Sequence, residues 1–170
     1  MGSQMESMSA LRDRIIAEAL SFRGTPYHAG AMVKGAGVDC ASFILCVLQN
    51  CGLVNEEELG VYSGDWWCHT TTEKYMLRVL RHGYKVLEGV SWSTLEASPG
   101  NIALIRGPES KVYNHGGIIV KWPTVIHAAG YGVEQADASL HWLWSGHEVA
   151  IFDVVARWSD RIAGVERASI

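Results

Sequence analysis

The chain has 170 residues, with 14 Lys plus Arg against 18 Asp plus Glu and a net charge of −4. A content of 48% hydrophobic and 19% charged residues places it among folded globular proteins and excludes a disordered chain. The acidic balance excludes the basic face of a nucleic-acid binder, and the length fits one domain.

The N-terminal stretch MGSQMESMSALRDRII lacks a basic segment followed by an apolar one, so it does not read as a signal peptide. No run of ~18 apolar residues is present to span a membrane. The expectation is synthesis in the cytoplasm without a signal peptide, any export using another route. Residues 1–8 are expected to be disordered or left over from expression, 9–157 to form the domain, and 158–170 to be a C-terminal tail.

Ser9 is placed to cap a helix running to Phe22, with Leu11, Ile15, Ala19 and Phe22 on one face. Gly24 and Pro26 stop it. A glycine-bearing loop follows from Tyr27 to Val38. Asp39 then caps a second helix that ends at Gly52, and its apolar composition means burial on most sides. Glu73 to His82 reads as a third helix. Beyond it the pattern changes to short apolar runs: Ile102–Arg106, then Gly117–Lys121 and Thr124–Ala128 flanking Trp122-Pro123 as a hairpin, then Glu148–Val155. Leu140 to Trp144 fits one helical turn. Helices first and strands later predict an α+β domain with an antiparallel sheet.

Cysteines occur at 40, 46, 51 and 68, with no C-x-x-C pair, which argues against a structural zinc site. Cys46 and Cys51 read as buried thiols. Cys40 differs because it opens the second helix. Unpaired N–H groups and the helix dipole there favour an anion, so a lowered thiol pKa is expected. A cysteine nucleophile needs a base, usually histidine, and a group that orients it. Of seven histidines, His115 opens the hairpin and His127 lies twelve residues on in the returning strand, within one or two positions of register. That spacing lets His127 hold His115 in one tautomer. Gly116 and Gly117 leave room beside the base. Each residue alone has a plainer reading: Cys40 as a buried thiol, His127 as a satisfied core histidine. A metal held by Cys40, His115 and His127 lacks a local ligand pair. Cys68-His69 is a second candidate pair without a base-orienting partner.

In order, Gly24-Thr-Pro-Tyr27, Val38-Asp-Cys-Ala-Ser42, Ser98-Pro-Gly100, His115-Gly-Gly-Ile-Ile-Val120 and Ile126-His-Ala128 resemble the NlpC-type cell-wall cysteine peptidases, over about residues 10 to 156. Tyr62–Trp67, Tyr75–Gly83 and the Trp-bearing turn before the last strand are similar to that family's phage cell-wall peptidase and tail-assembly branch. The resemblance implies a circularly permuted papain-like fold, with the nucleophile helix packed on the antiparallel sheet. It implies Cys40 as nucleophile, His115 as base and His127 as third member. Tyr27 would stand beside the nucleophile, and Asp39 and Ser42 would cap the helix and line the substrate side. The implied substrate is the peptidoglycan stem peptide, cut between γ-D-glutamate and a diamino acid, with no metal or organic cofactor. Implied partners are phage tail components, with virion-borne delivery to the cell wall. The sequence departs from the family pattern at Ala41-Ser42-Phe43, at Asn101 where an Asp is usual, and at His28-Ala29-Gly30, all bearing on the substrate pocket.

Two rival functions follow. Relatives with a papain-like core include acyl- and thioester-handling enzymes, so Trp66, Trp67, Trp92, Trp142 and Trp144 could line a lipid or small-amide site, against core and rim packing by the same aromatics. A non-enzymatic phage-tail module with an unused site is the other. Gly107 to Asn114, just before His115, is placed to act as a lid.

Overall fold

The computed structural model describes residues 6–55, 71–91, 97–107 and 109–165. The first helix, α1 (Met8–Ser21), is capped by Ser7, whose Oγ accepts the Ala10 N–H at 3.1 Å. The cap is therefore two residues earlier than Ser9. Leu11, Ile15, Ala19 and the following Phe22 are fully buried.

Two short strands, β1 (Met32–Val33) and β2 (Gly37–Val38), form a hairpin that leads directly into α2 (Cys40–Asn50). Residues 42–48 of α2 are all buried, as its apolar composition requires. A short helix, α3 (Lys74–Leu80), precedes β3 (Tyr84–Ser91), β4 (Ile102–Arg106), β5 (His115–Lys121), β6 (Thr124–Ala129), β7 (Gly132–Asp137) and β8 (Glu148–Asp153). These six strands pair in the order β3-β8-β4-β5-β6-β7, every neighbour antiparallel.

The sheet is covered on both faces, and the alternation of side chains sorts them. Ile102 and Leu104, Ile118, Ile126 and Ala128, and Ala150 and Phe152 join α1 and α2 in one core. Ala103 and Ile105, Ile119, Val125, and Val149 and Ile151 form a second core around Trp144 on the other face.

Strand β8 stops at Asp153 rather than continuing to Val155. The Asp153 carboxylate accepts the Val155 and Ala156 N–H groups at 3.0 and 2.9 Å and starts a fourth helix, α4 (Val154–Ile162), which runs across position 157. Arg12 of α1 reaches Asp153 at 2.5 Å, Asn101 Oδ1 at 2.8 Å and the Pro99 carbonyl at 3.0 Å. One guanidinium thus ties the first helix to the last one and to the turn before β4. Asn101 is itself buried, so its side chain serves the scaffold.

Candidate active site

Segment 26–28 and helix α3 meet the start of α2 at Cys40. Segment 26–28 runs beside β2: Val38 N–H donates to the Pro26 carbonyl and His28 N–H to the Val38 carbonyl. On its other side it is stitched to β7, with Val133 N–H donating to the Thr25 carbonyl at 2.8 Å. This brings Tyr27, partly exposed, close enough to the thiol for the two to interact electrostatically.

Asp39 and Ser42 build the helix start. Asp39 Oδ1 accepts the Ala41 and Ser42 N–H groups at 3.0 and 2.9 Å, Oδ2 accepts the Gly30 N–H at 2.7 Å, and Ser42 Oγ accepts the Asp39 N–H at 2.8 Å. This is a complete reciprocal capping box. Asp39 is 1% exposed and Ser42 not at all. The capping role expected of both is observed, and both side chains are enclosed, with Asp39 Oδ2 also holding the loop at Gly30.

The expected lowering of the thiol pKa is corrected. Burial, reinforced by the Asp39 carboxylate, pushes Cys40 up to about 12, against smaller lowering by the Tyr75 hydroxyl and the Ala41 and Cys40 N–H groups. Burial is the larger cause and the cap adds to it: the Asp39 carboxylate already occupies the positive end of α2, so a thiolate there would be a second negative charge in a desolvated place. At neutral pH the thiol is protonated. Burial likewise raises the Tyr27 phenol, with Cys40 and Asp39 adding to it, so Tyr27 keeps its O–H donor.

His115 and His127 come together as the twelve-residue spacing predicts. Gly117 pairs with His127 across β5 and β6, which sets His115 diagonally opposite His127 on the same face. Their rings meet edge to face, with His115 Nε2 and His127 Nδ1 2.8 Å apart. Gly117 makes this possible: a Cβ there would sit 2.7 Å from the Ile126 carbonyl oxygen and 3.1 Å from both His127 Cβ and Trp144 Cζ2.

Trp144 decides the tautomer. Its indole Nε1 lies 3.3 Å from His127 Nδ1, and an indole nitrogen can only donate. His127 Nδ1 is therefore an acceptor and His127 carries its proton on Nε2, the atom facing Glu134. His115 must then donate from Nε2, which leaves its Nδ1 lone pair free to take a proton. Trp144 is fully buried. Burial holds both imidazoles neutral: His115 well below its ordinary value, with His127 and His141 adding to the effect, and His127 down to about 3, with His141 adding.

Tyr75 links the two halves. Its hydroxyl donates to the Cys40 carbonyl at 2.9 Å. The same oxygen would lie 2.9 Å from a Cβ on Gly116, the residue after His115. Helix α3 is held there because Glu73 Oε2 accepts the Tyr113 N–H at 2.9 Å, just ahead of β5. Among the described residues no hydrogen bond joins the thiol to an imidazole. Cys46 and Cys51 are buried free thiols. Cys68-His69, Tyr62–Trp67, Trp92 and Pro108 of the candidate lid fall outside the described residues. Trp142 is exposed.

Helices pack on an antiparallel sheet, with a cysteine at the head of α2 and a histidine pair on the adjacent strands β5 and β6. The sequence matches no family model and no curated protein. Among solved structures, the NlpC/p60 domain of the peptidoglycan hydrolase SagA superposes with a TM-score of 0.52 at 22% identity, over 82% of this chain and 97% of that one. A Staphylococcus aureus protein described as similar to lipoprotein, of the NLP/P60 family, superposes with a TM-score of 0.55 at 19% identity over 91% of this chain, which spans 44% of that one. The α+β, papain-like fold expected from the sequence is thus the fold observed.

Proposed function

We propose that the protein is a cysteine peptidase or amidase acting on peptidoglycan stem peptides, with the amide between γ-D-glutamate and a diamino acid as the scissile bond. The observation that carries this reading is the polarised histidine pair on an NlpC/P60 fold: Trp144 and His127 together leave His115 Nδ1 as a base. The expected order of events follows from the protonation states. The resting pair is a neutral thiol and a neutral imidazole, so His115 removes the thiol proton as Cys40 Sγ attacks the carbonyl. The Cys40 N–H and the Tyr27 hydroxyl donate to the oxyanion. His115 returns the proton to the leaving amine, and water, deprotonated by the same imidazole, releases the acyl group.

The likeness to the phage branch adds a context: a virion-borne enzyme that meets the cell wall with tail components. It rests on sequence stretches partly outside the described residues.

Digestion of purified peptidoglycan, with fragments read by mass spectrometry, tests the activity. The wild type is expected to release stem fragments ending at γ-D-glutamate, and Cys40→Ala and His115→Ala are expected to release none. Equal release by wild type and Cys40→Ala, or none by the wild type, refutes the reading.

A further inference from the structure

We infer that His127, Glu134 and His141 form a divalent-metal site of zinc type, and that filling it switches off the base of the proposed peptidase. Strand pairing sets the first two side by side, since His127 on β6 is the partner of Glu134 on β7. His141 comes from the turn after β7, where its backbone N–H donates to the Asp137 carbonyl at 2.9 Å. His127 Nε2 and His141 Nε2 stand 3.8 and 3.5 Å from Glu134 Oε1, and all three atoms lie within 4.8 Å of one another.

These separations exceed a hydrogen bond but suit an ion. Atoms bonded at ~2.0–2.2 Å to a tetrahedral zinc lie roughly 3.3–3.5 Å apart. His127 Nε2 is fully buried and has no hydrogen-bond partner, an orphaned polar atom directed at the carboxylate. Glu134 is half exposed and can close the remaining gap. His141 must give up a long 3.3 Å contact from the Leu143 N–H to its Nδ1. Glu134 and His141 also line an open pocket with Tyr131 and Trp142, which supplies an entry path and room for a water as fourth ligand. Two imidazoles and one carboxylate favour zinc over magnesium.

The consequence for the site rests on the peptidase reading and follows from proton positions. To bind metal, His127 Nε2 releases its proton to solvent. The His115 Nε2 proton moves to His127 Nδ1, and His115 takes one proton from solvent at Nδ1. No net proton is gained, but the atom that accepts the Cys40 proton is now occupied. The Trp144 indole N–H faces another N–H and loses its acceptor. Metal at one face of His127 thus inverts the tautomer of the base on the other.

Zinc titration of the full chain tests this, with binding followed by calorimetry and proton positions by long-range imidazole 1H–15N spectra. One equivalent is expected to bind through His127 and His141 Nε2, and the His115 proton is expected to move from Nε2 to Nδ1. Glu134→Gln and His141→Ala are expected to weaken binding by at least the ~10–100-fold that loss of an outer-shell partner causes. Stem-peptide hydrolysis is expected to stop with zinc, return with chelator, and persist with zinc in both variants. Unchanged zinc affinity in both variants overturns the site. A filled site with His115 still protonated at Nε2, or with hydrolysis continuing, overturns the switch. Binding and spectra do not depend on turnover, so an inactive protein refutes the peptidase reading while leaving the site and its proton shift tested.

Discussion

Lowering the pH from 7.5 to 5 should destabilise the fold steeply, because two buried imidazoles refuse the protons that the unfolded chain accepts. His127 titrates at about 3 in the fold and His115 well below its ordinary value, against ~6.5 for both in the unfolded chain. Between those limits the unfolded state binds more protons, so stability is complete above pH ~6.5 and is lost as the pH falls toward 3. His127 alone contributes up to ~1.4 kcal/mol per pH unit, about 2 kcal/mol between pH 7.5 and 5, and His115 adds in the same direction. That is a large share of a domain stability of ~5–15 kcal/mol. The window lies above the ordinary carboxylate range, which keeps acidic residues out of the slope. Urea unfolding at pH 7.5, 6.5, 5.5 and 5.0 reads the effect, and His127→Asn should remove the His127 share of about 2 kcal/mol. Equal stability at pH 7.5 and 5, or an unchanged slope in the variant, refutes the assignment of these imidazoles as buried and neutral.

Gly117→Ala places a methyl 2.7 Å from the Ile126 carbonyl oxygen and against Trp144; a loss of ~1–3 kcal/mol is expected in thermal unfolding, with loss of the close contact between His115 and His127 in NMR spectra. Trp144→Phe removes the donor to His127 Nδ1; a bond of ~0.5–1.5 kcal/mol biases the tautomers by up to about tenfold, so imidazole 15N spectra should show His115 protonated partly at Nδ1, with kcat falling more than KM rises. Alkylation of Cys40 by iodoacetamide should be slow at pH 7 and still rising at pH 10, since the thiol is held at about 12; rapid labelling below pH 8 contradicts the burial argument.

Helix α2 was legible because its signals are local: Asp39 and Ser42 spell the capping box, the run between is apolar, and Gly52 ends it. The histidine pair was legible because hairpin geometry depends only on the turn and the count of residues. Other features depend on distant chain. Strand β7, Gly-Val-Glu-Gln-Ala-Asp, is an edge strand with Val133 its only buried residue, and it has no apolar pattern to announce it. Val154-Val155 continued an apolar strand in sequence, but Asp153 turned them into a helix. Trp144 could not be found as the tautomer-setting donor, because its place against His127 depends on how the chain between β7 and β8 folds back. The thiol pKa was misread for a related reason. The helix dipole is visible in sequence, whereas the desolvation that outweighs it depends on how the folded chain packs around Cys40.

The most direct test of the central claim is covalent capture by a stem-peptide analogue that carries an electrophilic ketone in place of the scissile amide, beside a fatty-acyl analogue with the same ketone. The account predicts that the peptide probe modifies Cys40 alone, that His115→Ala slows this sharply, and that the fatty-acyl probe does not react. Modification by the fatty-acyl probe at the same rate, or a peptide adduct mapped to Cys46 or Cys51, would contradict it.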